Sequence, residues 1–186
     1  MKKLADTMGA RTLCFNNVAS GVEKVLGLDS SPNTMDELLS TDVIVVFGYV
    51  MENNPVIQIK LKQAAENGAK VYLVNPVGVE VANFDFATKV VYVEDEVNSI
   101  KEIAKALVDM GKVSSADNFD EFKASLEKEE GSHSGLNITV SEALQEVATA
   151  YAKAKKAMVV FQQNVVSVDG ATMIADIALL SNHIGS

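Results

Sequence analysis

The strongest pattern in the chain is a set of short apolar runs that alternate with longer amphipathic stretches. The runs within Asp42–Gly48, Ala69–Val74 and Ala157–Phe161 are continuous, with no polar alternation. Such runs are typical of strands that are buried on both faces of a parallel sheet. A further strand is predicted over Lys89–Val93. Together these runs predict an α/β fold, a parallel Rossmann-like sheet with helices on both faces.

Helices are predicted between the strands from apolar residues at three- and four-residue spacing. The helix Pro55–Asn67 begins with a proline, which suits a first helical position, and Gly68 suits its C′ position. With its two flanking strands it forms a βαβ unit, whose crossover should be right-handed. The remaining predicted elements are helix Lys2–Met8, strand Thr12–Phe15, and helices Gly21–Leu26, Met35–Leu39, Val97–Met110, Phe119–Leu126, Thr139–Lys156 and Gly170–Asn182.

Composition divides the chain into three parts. Residues 1–110 are predicted to form an α/β half around the βαβ unit. Residues 139–186 return to helix, strand and helix, and complete the domain. Residues 111–138 are rich in Asp, Glu, Lys, Ser and Gly, so they predict a flexible or helical insertion at the surface.

Size and charge limit the classes of partner. The 186 residues are 48% hydrophobic, enough to bury one core, and the net charge is −9. A surface with this much negative charge repels phosphate backbones and anionic lipids. We therefore expect no nucleic-acid partner and no direct membrane insertion. No apolar run approaches the roughly 20 residues of a membrane span, and no secretory segment opens the chain. We therefore expect a cytoplasmic protein, alone or in the cytoplasmic arm of a membrane-associated complex.

Metal-ligating side chains are scarce. The chain has one cysteine, Cys14, and two histidines, His133 and His183. One thiol cannot hold an iron–sulfur cluster, and a structural zinc site needs four ligands. The commonest role of a lone cysteine is that of a buried strand thiol. We expect a structural role for His183 at a helix end and an exposed position for His133.

Ligands of parallel α/β sheets bind beyond the carboxyl ends of the strands. The segments there contain Gly48, Glu52, Asn54, Asn75 and Gln162. None of them has a GxGxxG or GxxxxGK[ST] motif, so the usual dinucleotide and P-loop mechanisms are unsupported. A stand-alone binder of small nucleotides would rest on fold analogy only.

Two blocks of sequence resemble the central domain of the prokaryotic molybdopterin oxidoreductases. The block Val45–Pro76 has a strand ending in Gly, a Glu-Asn-Asn-Pro loop, an amphipathic helix, Gly-Ala-Lys, and a second strand ending in Asn-Pro. Ala148–Lys155 and Ile177–Gly185 match the family's closing block, in the family's order. The types that the chain most resembles are the G subunit of NADH:quinone oxidoreductase, which has lost the pterin, and the formate dehydrogenase alpha subunit.

The resemblance implies that the chain corresponds to one of two α/β domains that hold molybdopterin guanine dinucleotide in a larger oxidoreductase. Its partners would be other domains or subunits of that complex, and the chain would not be catalytic alone. Under this relation the cofactor-binding residues would be Gly48, Glu52, Asn54, Asn75 and Gln162.

Departures from the family pattern indicate a degenerate pterin site. The family's Asp-Pro-Arg is Asn75-Pro76-Val77 here, which removes an acid and a cation suited to phosphate. A Pro-Gly-Thr-Asp turn has become Glu94-Asp95-Glu96-Val97, whose carboxylates repel pyrophosphate. We therefore expect no bound cofactor and a structural or assembly role. The alternative is a genuine half-site for the pterin dinucleotide in a formate dehydrogenase-like enzyme.

Cys14 has a second interpretation through the resemblance. Its spacing from Gly21 and Gly27 is similar to that around the molybdenum-ligating cysteine of formate dehydrogenases. A thiolate is a suitable soft ligand for that metal. The histidine that follows this ligand in the family is Phe15 here. Cys14 is thus a candidate metal ligand beside its commoner role in a strand.

Overall fold

The computed structural model describes residues 20–28, 30–49, 54–112, 119–127, 138–162 and 165–184. Its centre is a sheet of four parallel strands in the order β3-β2-β1-β4. The strands are β1 Val43–Phe47, β2 Lys70–Pro76, β3 Lys89–Val93 and β4 Ala157–Phe161. The helices are α1 Glu23–Leu26, α2 Pro55–Glu66, α3 Glu96–Asp109, α4 Phe119–Glu127, α5 Ile138–Lys153 and α6 Val168–Leu180, with a 3₁₀ helix at Met35–Ser40.

The central strand β1 explains the continuous apolar run in the sequence. All five of its residues are buried, because β2 pairs with it on one side and β4 on the other. Val43 lies opposite Lys70 of β2 and Ala157 of β4, so the three strands start at one level. The prediction of a parallel sheet is confirmed.

Helices cover both faces of the sheet, as predicted. On one face, Val45 and Tyr72 pack with residues of α3, α5 and α6. On the other face, Ile44 and Leu73 pack with Leu61 of α2 and with the 3₁₀ helix. Side chains of successive strand residues point to opposite faces, so one apolar run supplies both cores.

Several predicted boundaries were wrong by two or three residues, among them both ends of the helix predicted at Gly170–Asn182, which is Val168–Leu180, and the start of the helix predicted at Gly21, which is Glu23; two other cases have a clear cause. The helix predicted to reach Lys156 ends at Lys153, because the Asp42 carboxylate accepts the backbone N–H groups of Lys155 and Lys156 at 3.0 Å each. That contact directs the chain into β4. The second strand was predicted to end at Val74 and continues to Pro76, because β3 still lies beside it there.

Part of the predicted insertion packs on the core. Leu126 of α4 is 3% exposed and belongs to the same cluster as residues of α3 and α5. Residues 113–118 and 128–137 lie outside the described part, so the three-part division stays a prediction. The predicted helix Lys2–Met8 and strand Thr12–Phe15 also lie outside it. In the described ranges, no helix is long and apolar enough to cross a membrane.

Candidate functional site

The carboxyl ends of all four strands meet at one edge of the sheet, because the strands are parallel. We call this side the carboxyl edge. Gly48 follows β1, and its neighbours there are Asn75 near the end of β2 and Gln162 after β4. Asn54 precedes α2. Cys14 and Glu52, the other predicted site residues, lie outside the described residues.

Gly48 is held by contacts within the protein. Its φ of 76° is a left-handed conformation that favours glycine, and its N–H donates to the Val74 carbonyl at 2.9 Å. A Cβ at Gly48 would lie 2.7 Å from Cγ1 of Val165. The space that the missing Cβ of Gly48 leaves is therefore taken by the side chain of Val165.

Asn75 is turned towards its own loop. The residue is fully buried, and its Nδ2 donates to the Val79 carbonyl at 3.1 Å and, more weakly, to that of Pro76 at 3.4 Å. Its Oδ1 is buried and has no partner among the described residues. Val77, at the position of the family's arginine, is 59% exposed and offers no charge. Neither the Asn75 amide, which bonds within its own turn, nor the uncharged Val77 side chain is therefore suited to hold a phosphate.

The acidic turn after β3 begins helix α3. The Asp95 carboxylate caps the helix by accepting the Asn98 N–H at 3.0 Å. Glu96 follows in the first turn, and its Oε1 is buried without a partner in the described part of the chain. Burial, and then the charge of Asp95, raises the pKa of Glu96 to about 7. This corner of the edge is therefore acidic and resists further negative charge.

The backbone carbonyls of Gln162 and Asn54 accept hydrogen bonds from the start of the following turn or helix. The Gln162 carbonyl accepts the N–H groups of Val165 and Val166 at 2.9 Å each, which forms the turn between β4 and α6. Asn54 is exposed and its side chain makes no capping bond, while its carbonyl accepts the Ile57 N–H at 3.0 Å. Ser167 caps α6 by accepting the Gly170 N–H at 3.1 Å.

Sequence reasoning missed a groove of about 450 Å³ beside β4. Met158 and Val160 line it from one face of the sheet, and Val159 and Phe161 from the other. A groove that touches both faces of a strand must lie beyond the strand's edge. The signal for it in the sequence is weak, since an edge strand has the same apolar pattern as a central one.

His183 lies at one end of this groove and has a structural role, as expected. Its Nδ1 accepts the Ala157 N–H at 3.4 Å, and its ring meets that of Tyr151 edge to face at 5.0 Å. Burial lowers the pKa of His183, which favours the neutral ring that this acceptor role requires. Among the residues that the structure describes, no three His, Cys, Asp or Glu side chains form a group that could hold a metal ion.

Comparison with known proteins gives a weak similarity that extends over most of the chain. The chain matches no protein-family model. It is 25% identical over 179 residues to formate dehydrogenase H of Escherichia coli (strain K12), an alignment that covers 89% of this chain and 25% of that protein. The chain therefore spans about a quarter of the length of that relative. Formate dehydrogenase H is a molybdopterin oxidoreductase, so the similarity supports the resemblance at the family level. It lends no support to the G subunit of NADH:quinone oxidoreductase.

Proposed function

We propose that the chain is a molybdopterin-oxidoreductase-like α/β domain of a larger redox enzyme, with a structural and assembly role and a degenerate pterin site. The similarity to a formate dehydrogenase extends over most of the chain, and the parallel sheet agrees with the expected domain. Its partners would be the neighbouring domains or subunits that carry the redox centres. Its cytoplasmic location and a specific relation to the G subunit stay predictions.

One observation carries the proposal: the chain itself occupies the carboxyl edge. Val165 fills the space beside Gly48, and Asn75 directs its amide into its own turn. Glu96 and Asp95 place carboxylates at the third strand end. A pterin dinucleotide carries a pyrophosphate, which needs space and hydrogen-bond donors or cations. The described residues at this edge do not fit such a group.

The alternative, a genuine half-site for the pterin dinucleotide, has one observation in its favour. Helices α3 and α6 both begin at the carboxyl edge, and helix N-termini attract anions. Each N-terminus already has a cap from its own chain, Asp95 for α3 and Ser167 for α6. The Asp95 carboxylate supplies the negative charge that the dipole of α3 favours, so an incoming phosphate would meet repulsion there.

Calorimetric titration with GDP tests the proposal, because GDP has the guanine and pyrophosphate of the cofactor's nucleotide half. For the wild-type chain we expect no binding up to millimolar GDP, which corresponds to less than about 4 kcal/mol of binding free energy. Elemental analysis should find no stoichiometric molybdenum or tungsten, and the chain alone should not oxidise formate with a viologen dye as acceptor.

The opposite results favour the half-site. GDP binding at micromolar concentration, weakened by salt, would show that the carboxyl edge accepts a pyrophosphate. About one molybdenum or tungsten per chain would show that the metal cofactor is retained. Either result contradicts a degenerate site, and the second would make Cys14, outside the described residues, the first ligand to test by Cys14→Ser.

A further inference from the structure

Strand β3 forms one edge of the sheet, since in the described part of the chain it pairs only with β2. The Val77 N–H donates to the Val93 carbonyl at 2.9 Å, so the backbone of Val93 faces β2. Alternate residues of a parallel strand direct their N–H and C=O groups to opposite sides. The backbone groups of Val90 and Tyr92 therefore point outwards, where another extended segment can pair with them.

Apolar side chains are grouped at the carboxyl end of this edge. Tyr92 is 45% exposed, although it lies opposite the buried Asn75 of β2. Val77 and Val79 belong to the turn after β2 and are also exposed. This turn lies beside Tyr92, because the Asn75 amide donates to the Val79 carbonyl at 3.1 Å. Exposed apolar side chains that are grouped, unlike single ones, are typical of interaction surfaces.

The charges around this apolar group are negative. Glu80 lies in the turn after β2 and Glu94 directly follows β3, and both side chains are exposed. Neither forms an ion pair with another described residue. Lys89, at the other end of β3, is paired with Glu146. The carboxyl end of the β3 edge therefore presents uncompensated negative charge, which favours a positively charged partner.

We infer that the β3 edge binds an extended segment of a partner protein, with apolar residues at alternate positions and lysine or arginine at one end. The segment pairs with the outward backbone groups of β3, covers Tyr92, and places its basic end beside Glu80 and Glu94. The inference rests on the proposed function, in which a neighbouring domain or subunit supplies the segment. It gives the assembly role a definite surface, the edge of the described sheet that lies opposite β4.

A second copy of the chain fits this edge less well. Two copies related by a two-fold axis would pair their β3 strands in antiparallel orientation. The acidic end of one strand would then lie beside the start of the other, where Lys89 is already paired with Glu146. Each copy also has a net charge of −9, so the two copies repel one another.

Two peptides test the charge of the partner. One is the blocked peptide Thr-Val-Thr-Val-Thr-Lys-Lys, and its control ends in Glu-Glu. In an NMR titration of the folded chain, the lysine peptide should bind with a Kd below about 1 mM, and the glutamate peptide at least about tenfold more weakly. The outward N–H groups of Val90 and Tyr92 should exchange freely with solvent in the free chain, and the lysine peptide should slow their exchange.

Two variants of Tyr92 form a matched pair. Tyr92→Thr removes the ring and keeps the outward N–H, so it should weaken binding of the lysine peptide by about fivefold or less. Tyr92→Pro removes both, at an edge position where proline is tolerated, and should weaken binding about tenfold further. Replacing both acids, with Glu80→Gln and Glu94→Gln, should remove most of the difference between the two peptides. If Tyr92→Pro does not fold, the two peptides and the charge variant still decide.

Four results would overturn the inference. They are a Kd above about 1 mM for the lysine peptide, equal binding of the two peptides, equal binding by the two Tyr92 variants, and slow exchange of the Val90 and Tyr92 N–H groups in the free chain. In the last case another part of the chain covers the edge or, if the protection disappears on dilution, a second copy does. None of these results depends on GDP binding, so failure of this inference is distinguishable from failure of the proposed function.

Discussion

The Glu96 carboxyl provides a sharp test of the charge balance at the carboxyl edge. Its Oε1 is buried without a partner in the described structure, and burial with the neighbouring Asp95 charge raises its pKa from 4.5 to about 7. An acid whose pKa is higher in the folded state favours folding while protonated. Its contribution is complete below about pH 4.5 and is lost as the pH rises to about 7. Glu96→Gln should therefore stabilise the protein above neutral pH.

The magnitude follows from the size of the pKa change. A tenfold change in proton affinity is about 1.4 kcal/mol, so the full interval corresponds to about 3 kcal/mol. The carboxyl is partly exposed, and solvent screening reduces this figure to about 1–2 kcal/mol. Neutralising a first-turn acid also loses a helix-dipole interaction of about 0.3–1 kcal/mol. We expect Glu96→Gln to raise the free energy of unfolding by about 1 kcal/mol at pH 8 and very little at pH 5.

Urea denaturation followed by circular dichroism, at both pH values, measures this difference. Burial also raises the pKa of Asp176, to about 6, but that group is present in both proteins and cancels in the comparison. The matched control is Glu94→Gln, which removes the same charge from an exposed side chain two residues away. Equal stabilisation by the two variants would mean that relief of the net negative charge, and not burial of Glu96, is the cause. No stabilisation at pH 8 would refute the reasoning.

Two further variants test the contacts that close the carboxyl edge. Gly48→Ala should lower the free energy of unfolding in urea by about 2–4 kcal/mol, since alanine disfavours the positive φ and its Cβ would meet Val165. Adding Val165→Ala should recover part of this loss. No recovery would mean that the contact with Val165 does not matter. Asn75→Asp should destabilise the protein by about 3 kcal/mol or more at pH 7, because it buries a carboxylate beside the Val79 carbonyl, and by less at pH 4, where the carboxyl is more often protonated. A loss of stability that does not depend on pH would contradict a buried charge.

The sheet and its helices were largely predictable from the sequence. Runs such as Val43–Phe47 are apolar at every position because both faces of the strand are covered, and their short length and β-branched residues favour a strand over a buried helix. Element ends were less predictable, since they depend on distant contacts. The helix before β4 ends at Lys153, just before Lys155 and Lys156 donate their backbone N–H groups to Asp42, which is more than a hundred positions away in the chain.

The candidate site was predictable in its location but not in its contents. Parallel strands fix which loops meet, so Gly48, Asn75 and Gln162 were correctly expected at one edge. Where each side chain points depends on loop geometry, which has no periodicity in the sequence. Nothing in the sequence distinguishes Val165 from other loop valines. Only the fold shows that its Cγ1 lies 2.7 Å from the position that a Cβ on Gly48 would take.

The departures from the family pattern and the observed contacts both disfavour ligand binding at the carboxyl edge. Where the family is expected to bind a ligand, this chain makes contacts with itself: Val165 beside Gly48, and the Asn75 amide on the Val79 carbonyl. Such contacts stabilise the folded chain without any ligand, whereas a functioning pocket leaves polar groups unpaired until its ligand binds. Under the proposed function, a domain that satisfies its own strand ends would hold neighbouring domains in place without the pterin. Among the described residues of this edge, Asn75 Oδ1 and Glu96 Oε1 are buried without a partner, and they are therefore positions where a retained ligand would be detected.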